Sequence, residues 1–463
     1  MLNRKIVENV LEEALSRGGD FAEIFLEDKM TSNIKLVQGE IKDSLSGRDF
    51  GVGIRILDGT NSVYGFTNGS SEKELVNLAK SLALSMDGGS KAHSRMLGEA
   101  IIHDNSPVKT QLSTVGKGDK VDLLKRAYHS AKEFDQVISQ VTTAYMEEEQ
   151  KVFIANSDGL WTRDDRTRVR LAVSATAGLN GELQQGYFAP GAAMGFEFFD
   201  YVDVEKVGVE AARIAKAMIH AKYIPGGKMP VVIENGFGGV LFHEACGHAL
   251  EASFVSKGTS AFGGKIGQEV ASSFVTAIDD GTIANGWGTT SIDDEGTPTR
   301  KNVLIQNGIL KSYLIDKLNG RRMGLESTGS ARRQSYRYPP TSRMNNTYIA
   351  PGHMTLNDMI GPIEFGLYAK KLGGGSVNPA TGDFNFSVME GYLIKNGEIA
   401  DPVRGATLVG NGIEVLRLID GVGSNLKMGQ GMCGAASGSI PVNVGQPAIR
   451  VSSITVGGRR GND

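Results

Sequence analysis

His243, Glu244 and His248 stand together in the string H-E-A-C-G-H, with Glu251 three residues further on. Two imidazoles beside a carboxylate could serve a hydrolytic metal centre, the nitrogens holding a cation such as Zn2+ and the carboxylate taking a proton. The spacing is one residue longer than the familiar H-E-x-x-H arrangement. On a regular α-helix, positions i and i+4 lie about 40° apart around the axis, whereas i and i+5 lie about 140° apart and cannot face one ion. The string therefore predicts a wide π-turn or a helix break between His243 and His248, and Gly247 lowers the cost of either. The bland alternative is two unrelated histidines on a buried helix. The adjacent Glu244, the following Glu251 and the scarcity of histidine, seven in the whole chain, favour the metal.

A catalytic zinc needs at least one more protein ligand and an open position for water or substrate. The candidates are Cys246, Cys433, Glu251 and distant carboxylates. Cys246 lies between the two histidines, on a different face from at least one of them, and reads as a small buried residue. Cys433 sits in G-Q-G-M-C-G-A-A-S-G, where dense glycine lets the backbone approach another segment closely, and it is the preferred third ligand. Spacing alone leaves a Cys246–Cys433 disulfide, or two inert thiols, open. With such a ligand set, zinc would lower the pKa of its bound water from about 15.7 to about 7, and Glu244 would act as general base and then general acid. The letters Gly429-x-Gly431-x-x-Gly434 also match a dinucleotide fingerprint, but the alternating I-P-V-N-V-G-Q-P-A-I-R-V that follows suggests a strand where a phosphate-binding helix should begin.

These residues need a scaffold, and 463 residues suffice for two or three domains. Glycine contributes 61 residues, about 13% against a usual ~7%, which points to many tight turns and a strand-rich architecture. Residues 3–16 have helical apolar spacing, and residues 21–67 alternate in four runs, AEIFLED, NIKLVQGEIKDSLS, GVGIRILDG and NSVYGF, read as antiparallel strands. Helices are expected over 72–85, 119–133 and 204–222, with strands between 137 and 199. The segment Y-I-P-G-G-K-M-P reads as a linker, dividing an N-terminal α+β domain (1–224) of antiparallel sheet with helices from a C-terminal β-rich domain (225–463), barrel- or sandwich-like, that carries the metal-site helix. In that second domain a buried strand over 229–233 should lead into a helix over 240–252. Two Asn-Gly hairpins and a further helix over 356–372 follow.

A formal net charge of -3, with basic residues dispersed, offers no footprint for nucleic acid, and no window approaches the roughly 18 apolar residues of a membrane span. Residues 1–15 carry Arg4, Lys5, Glu8, Glu12 and Glu13 among their apolar positions, unlike a signal peptide, so a cytoplasmic location is expected. Two cysteines are too few for a disulfide framework.

The strings H-E-A-C-G-H-A-L-E-A-S, D-D-E-G-T-P-T, R-M-N-N, G-D-F-N-F, E-G-Y-L-I-K-N-G, M-C-G and V-G-Q-P together resemble the TldD/PmbA peptidases, most densely from 231 to 451. The resemblance is to the TldD branch, which keeps the H-E-x-x-x-H and the late cysteine. It implies His243, His248 and Cys433 as zinc ligands, Glu244 as base, unfolded or flexible peptides as substrates, and a homodimer or a heterodimer with a TldE/PmbA-like subunit. Asp293, Asp294 and Glu295 are candidates for carboxylates that orient an imidazole, or for a solvated acidic turn. Arg343 and Asn345 could steady a loop over the cleft. Gly373 to Gly375 and Gly429 to Gly434 either offer backbone to a substrate strand or form a helix stop and a crowded turn. Two other functions compete with peptide hydrolysis: a regulatory or structural partner protein that zinc merely stabilises, and a zinc amidohydrolase for small molecules.

Overall fold

A computed structural model describes residues 2–86, 93–378 and 381–459. The chain opens with a helix, Arg4–Ala14, capped by the Asn3 side chain and burying Val7, Val10, Leu11 and Ala14. Strands Phe21–Val37 and Glu40–Asp58 then form one long antiparallel hairpin. Its turn is Gln38-Gly39, both at positive φ (53° and 80°), the geometry that suits the right-handed twist of a hairpin. This corrects the four-run reading: the first two runs are not separate strands, and the turn falls inside the second. The polar stretch Asp28 to Ser32 continues the strand because it is hydrogen-bonded on both sides, to Gly47–Asp49 and their neighbours and to strand Ile138–Asn156. Partners on both flanks override the weak strand propensity of those side chains.

Strand Leu160–Leu179 extends this sheet. Helices Arg4–Ala14 and Glu72–Ala83 cover one hydrophobic cluster on it, and Lys117–Lys132 with Val204–Ile219 cover another. The last of these stops at Ile219, three residues short of the expected end, with Lys222 and Tyr223 already paired to Val403 and Arg404.

From Gly227 onward the chain builds a barrel. Strands Phe365–Val377, Gly227–Ile233, Ile449–Gly457, Thr407–Asn411 and Asp383–Lys395 neighbour one another in that order, and the last pairs back with the first. A second sheet of six strands contains Ala277–Asp280, Asn346–Ile349, Gly438–Gln446 and, at its edge, Lys427–Ala435. The hairpin turns Asn307-Gly308 and Asn396-Gly397 all have positive φ, as the Asn-Gly dipeptides predict.

The helix expected over 356–372 is wrong in most of its length. Only Leu356–Ile360 is helical, opened by a reciprocal Thr355–Asp358 capping box. Pro362 cannot continue the helical hydrogen bonds, and the chain re-emerges as strand Phe365–Val377. Leu367, Tyr368 and Ala369 are buried in succession, so the run has no polar face to distinguish helix from strand. Gly373 to Gly375 consequently lie in a bulged stretch of strand, paired on one flank with Asp383–Lys395, and form no helix stop.

Asp293, Asp294 and Glu295 belong to the junction between the first sheet and the barrel half, and all three are buried, which excludes the solvated turn. Asp293 accepts from the backbone of Glu295, Thr297 and Ala331. Asp294 pairs with Arg166 at 2.7 Å, and Glu295 with Arg55 at 2.6 Å. Arg55 also meets Glu23 at 2.8 Å, and Glu23 meets Arg333 at 2.6 Å. Burial alone would raise the Asp294 carboxyl, but Arg166 and Arg333 hold it below its ordinary range. Arg55→Met removes the one cation paired with Glu295 among the described residues, leaving a buried carboxylate without its cationic partner. We expect a loss of about 3–5 kcal/mol in urea unfolding; a change under about 1 kcal/mol would reduce the cluster to the standing of surface pairs.

Candidate metal centre

Strand Gly227–Ile233 delivers the chain to Gly236–Gly239, a single 3-10 turn. A Cβ on Gly239 would stand 2.5 Å from the backbone C, N and O of Gly445, so glycine is required for this turn to cross strand Gly438–Gln446 backbone against backbone. That crossing sets Val240–Phe242, the start of the metal-site helix, against the hairpin that carries Cys433.

His243–Gly247 is a π-turn, and the His248 N–H donates to the His243 carbonyl across five residues. The widened turn brings two positions that a regular helix would hold apart onto one side, with ring centroids 5.1 Å apart at 83°. His248–Leu250 follows as a 3-10 turn and Glu251 is extended, so the helix expected over 240–252 is regular only at its first turn. Gly247 has its own packing reason: a Cβ there would lie 2.3 Å from Met344 Sδ.

Cys433 reaches the histidines from the edge strand. Its Sγ lies 3.2 Å from His243 Nε2 and 3.3 Å from His248 Nε2, and all three side chains are buried. Among the described residues, these three form the one His/Cys/Asp/Glu group able to converge on a metal ion. Zinc at about 2.3 Å from sulfur and about 2.0–2.1 Å from nitrogen, tetrahedrally arranged, needs sulfur–nitrogen spacings of about 3.5 Å, within a few tenths of those seen. The donor set fits the metal. Burial pushes the Cys433 thiol up, but the two imidazoles beside it pull it down to about 4, so it is a thiolate at neutral pH.

Glu244 lies on the open side. Its side chain is 29% exposed, and Oε2 stands 3.7 Å from His248 Nε2. Cys246 points the other way, into the barrel core with Leu241, Phe242 and Leu416, where burial pushes its thiol up. Both cysteines are free, which removes the disulfide alternative.

Other sequence candidates are redistributed. The carboxylate that meets an imidazole is Glu251, whose Oε1 is 3.2 Å from His248 Nδ1, and Asp293–Glu295 do not perform that task. Glu251 itself is outside the converging ligand group. Arg343 is buried and steadies the end of the Cys433 hairpin, donating to the Cys433 carbonyl at 2.5 Å, to Ser437 Oγ and to the Gly438 carbonyl. Asn345 is buried beside Asp279. The G-x-G-x-x-G letters lie in strand Lys427–Ala435, turned back into a hairpin and not into a helix. Arg343 escaped the sequence reading as a partner of Cys433 because the two are 90 residues apart.

Comparison with known proteins agrees along the whole chain. Three family profiles match in order: PmbA/TldA metallopeptidase domain 1 at residues 22–85, the central domain at 111–219 and the C-terminal domain at 226–458. A metalloprotease TldD homolog from Buchnera aphidicola (strain APS) is 37% identical over 99% of this chain and 96% of its own length. Two solved structures share the fold. One, from Thermotoga maritima, has a TM-score of 0.82 at 23% identity, covering 98% of this chain and 99% of that one. The other, TldE from Thermococcus kodakarensis, has a TM-score of 0.79 at 20% identity, covering 97% and 99%.

Proposed function

The chain belongs to the PmbA/TldD metallopeptidase family, and from that footing we propose that it is a zinc-dependent peptidase acting on unfolded or flexible peptides, with Glu244 as general base. The carrying observation is that His243 and His248 each bring Nε2 within hydrogen-bonding distance of the Cys433 sulfur, with a part-exposed carboxylate alongside. When bound, zinc supplies Lewis acidity, lowering the pKa of water towards 7 and polarising a carbonyl. His243, His248 and Cys433 would hold it. Glu244, reachable from solvent, takes the proton of the attacking water and returns it to the departing amine nitrogen. The surrounding burial keeps bulk water from the three ligand atoms and strengthens the electrostatics between them.

Two further features support a peptide substrate. Strand Lys427–Ala435 is an edge strand, and edge strands can capture extended peptides through the backbone. Along it, Trp287 Nε1 donates to the Gly431 carbonyl and Arg343 to that of Cys433, which fixes the strand in place. The likeness in fold to TldE supports pairing with a TldE/PmbA-like chain or with a second copy. No described helix is long and apolar enough to cross a membrane; with two free cysteines, we place the protein in the cytoplasm.

The decisive test is metal removal. Chelation should abolish cleavage of an unstructured peptide, and zinc should restore it, in the presence of a TldE-like partner if the isolated chain is inactive. A protein that binds zinc, loses thermal stability on chelation and cleaves nothing in either setting would instead be a zinc-stabilised regulatory or structural partner.

A further inference from the structure

Resting on the zinc reading, we infer that Glu251 and Arg343 form one positioning unit that sets how tightly the metal is held, although neither belongs to the ligand group. Glu251 ends the 3-10 turn His248–Leu250, and its backbone is fixed: its N–H donates to the His248 carbonyl, and the next residue, Ala252, donates to Leu314 at 2.8 Å. Its carboxylate turns back onto His248 Nδ1 at 3.2 Å. A carboxylate there holds the proton on Nδ1 and leaves the Nε2 lone pair facing Cys433. His243 Nδ1 has no such partner among the described residues, so the two imidazoles are not equivalent.

Arg343 ties the same carboxylate to the other end of the site. Its guanidinium grips the Cys433 carbonyl, Ser437 Oγ and the Gly438 carbonyl, fixing the end of the hairpin that presents the thiolate. Its Nε lies 3.9 Å from Glu251 Oε1 and makes no hydrogen bond of its own. Glu251 is the one carboxylate in ion-pair range of this fully buried cation among the described residues. The unit therefore links the segment carrying His248 to the segment carrying Cys433, two ligands that are 185 residues apart in the chain.

The test is zinc affinity of the full chain, measured by competition with a chromophoric chelator, together with the absorption spectrum after cobalt substitution, for wild type, Glu251→Gln, Arg343→Lys and the double variant. Each single change should weaken zinc binding about 10–100-fold and shift the cobalt bands. The double variant should lose less than the product of the two single losses, because both act on one unit. Melting of each metal-free variant is read beside its affinity; a fall in affinity that merely follows a fall in metal-free stability would overturn the inference. So would zinc affinities within about twofold of wild type in both single variants, or strictly multiplicative losses. If wild type itself takes up no zinc, the zinc reading fails before the positioning unit is reached.

Discussion

Glu244→Gln is expected to keep about one zinc per chain while lowering kcat by about 10²–10⁴-fold, the usual contribution of a positioned general base. Glutamine preserves the volume and hydrogen bonding of the side chain but cannot accept a proton. Because Glu244 is outside the converging ligand group, the metal should stay. Because its side chain is 29% exposed on the site's open face and 3.7 Å from His248 Nε2, the change should act at the proton-transfer step, with KM little altered. Metal analysis beside steady-state kinetics on an unstructured peptide reads both quantities. Turnover at the wild-type rate would place the base elsewhere.

Cys433→Ala should remove the metal altogether and with it the peptidase activity. Two imidazoles remain, and a pair of neutral ligands falls short of the three protein ligands that catalytic zinc sites employ. The thiolate is also the one anionic donor in the group, already ionised at neutral pH with its pKa drawn down to about 4. Cys433 packs in a small cluster with Ile440 and Val442, apart from the main cores, so the fold should survive its truncation. Zinc content after dialysis, compared between wild type and Cys433→Ala, decides the matter. A variant that retains a full equivalent of tightly held zinc would exclude Cys433 as a ligand.

An irregular turn between His243 and His248 follows from letters alone, since an i, i+5 histidine pair that shares a metal forces a departure from regular helix geometry; that it is a π-turn and not a break is seen only in the structure. The Asn-Gly hairpins were legible for the same kind of reason, a local dipeptide with one favoured turn. Failures occurred where local signal and tertiary pairing disagree. The stretch Lys29 to Ser32 looks like a break between strands but is bonded on both flanks, and residues 356–372 look helical throughout because Gly366 to Ala369 are buried on both faces of their strand and show no alternation. Asp293–Glu295 read as carboxylates orienting an imidazole or as a solvated turn, yet Asp294 and Glu295 pair with Arg166 and Arg55 from the first sheet, whose proximity no spacing encodes, and Asp293 accepts from backbone N–H groups.

The sequence by itself determined the chemistry available: two histidines with an inserted residue, a glutamate beside the first, a late cysteine in a glycine-rich segment, and the family those strings resemble. Such features are local, and short-range sterics and ligand chemistry constrain them directly. Only the tertiary structure decided which groups meet. Glu251 turns onto His248, Arg343 grips the Cys433 carbonyl, and Cys246 faces the core instead of the metal. Those outcomes depend on how a barrel closes and on how a turn at Gly239 crosses a strand near the chain's far end. Contacts between residues distant in the chain are set by packing summed over many elements, which no single window of sequence contains.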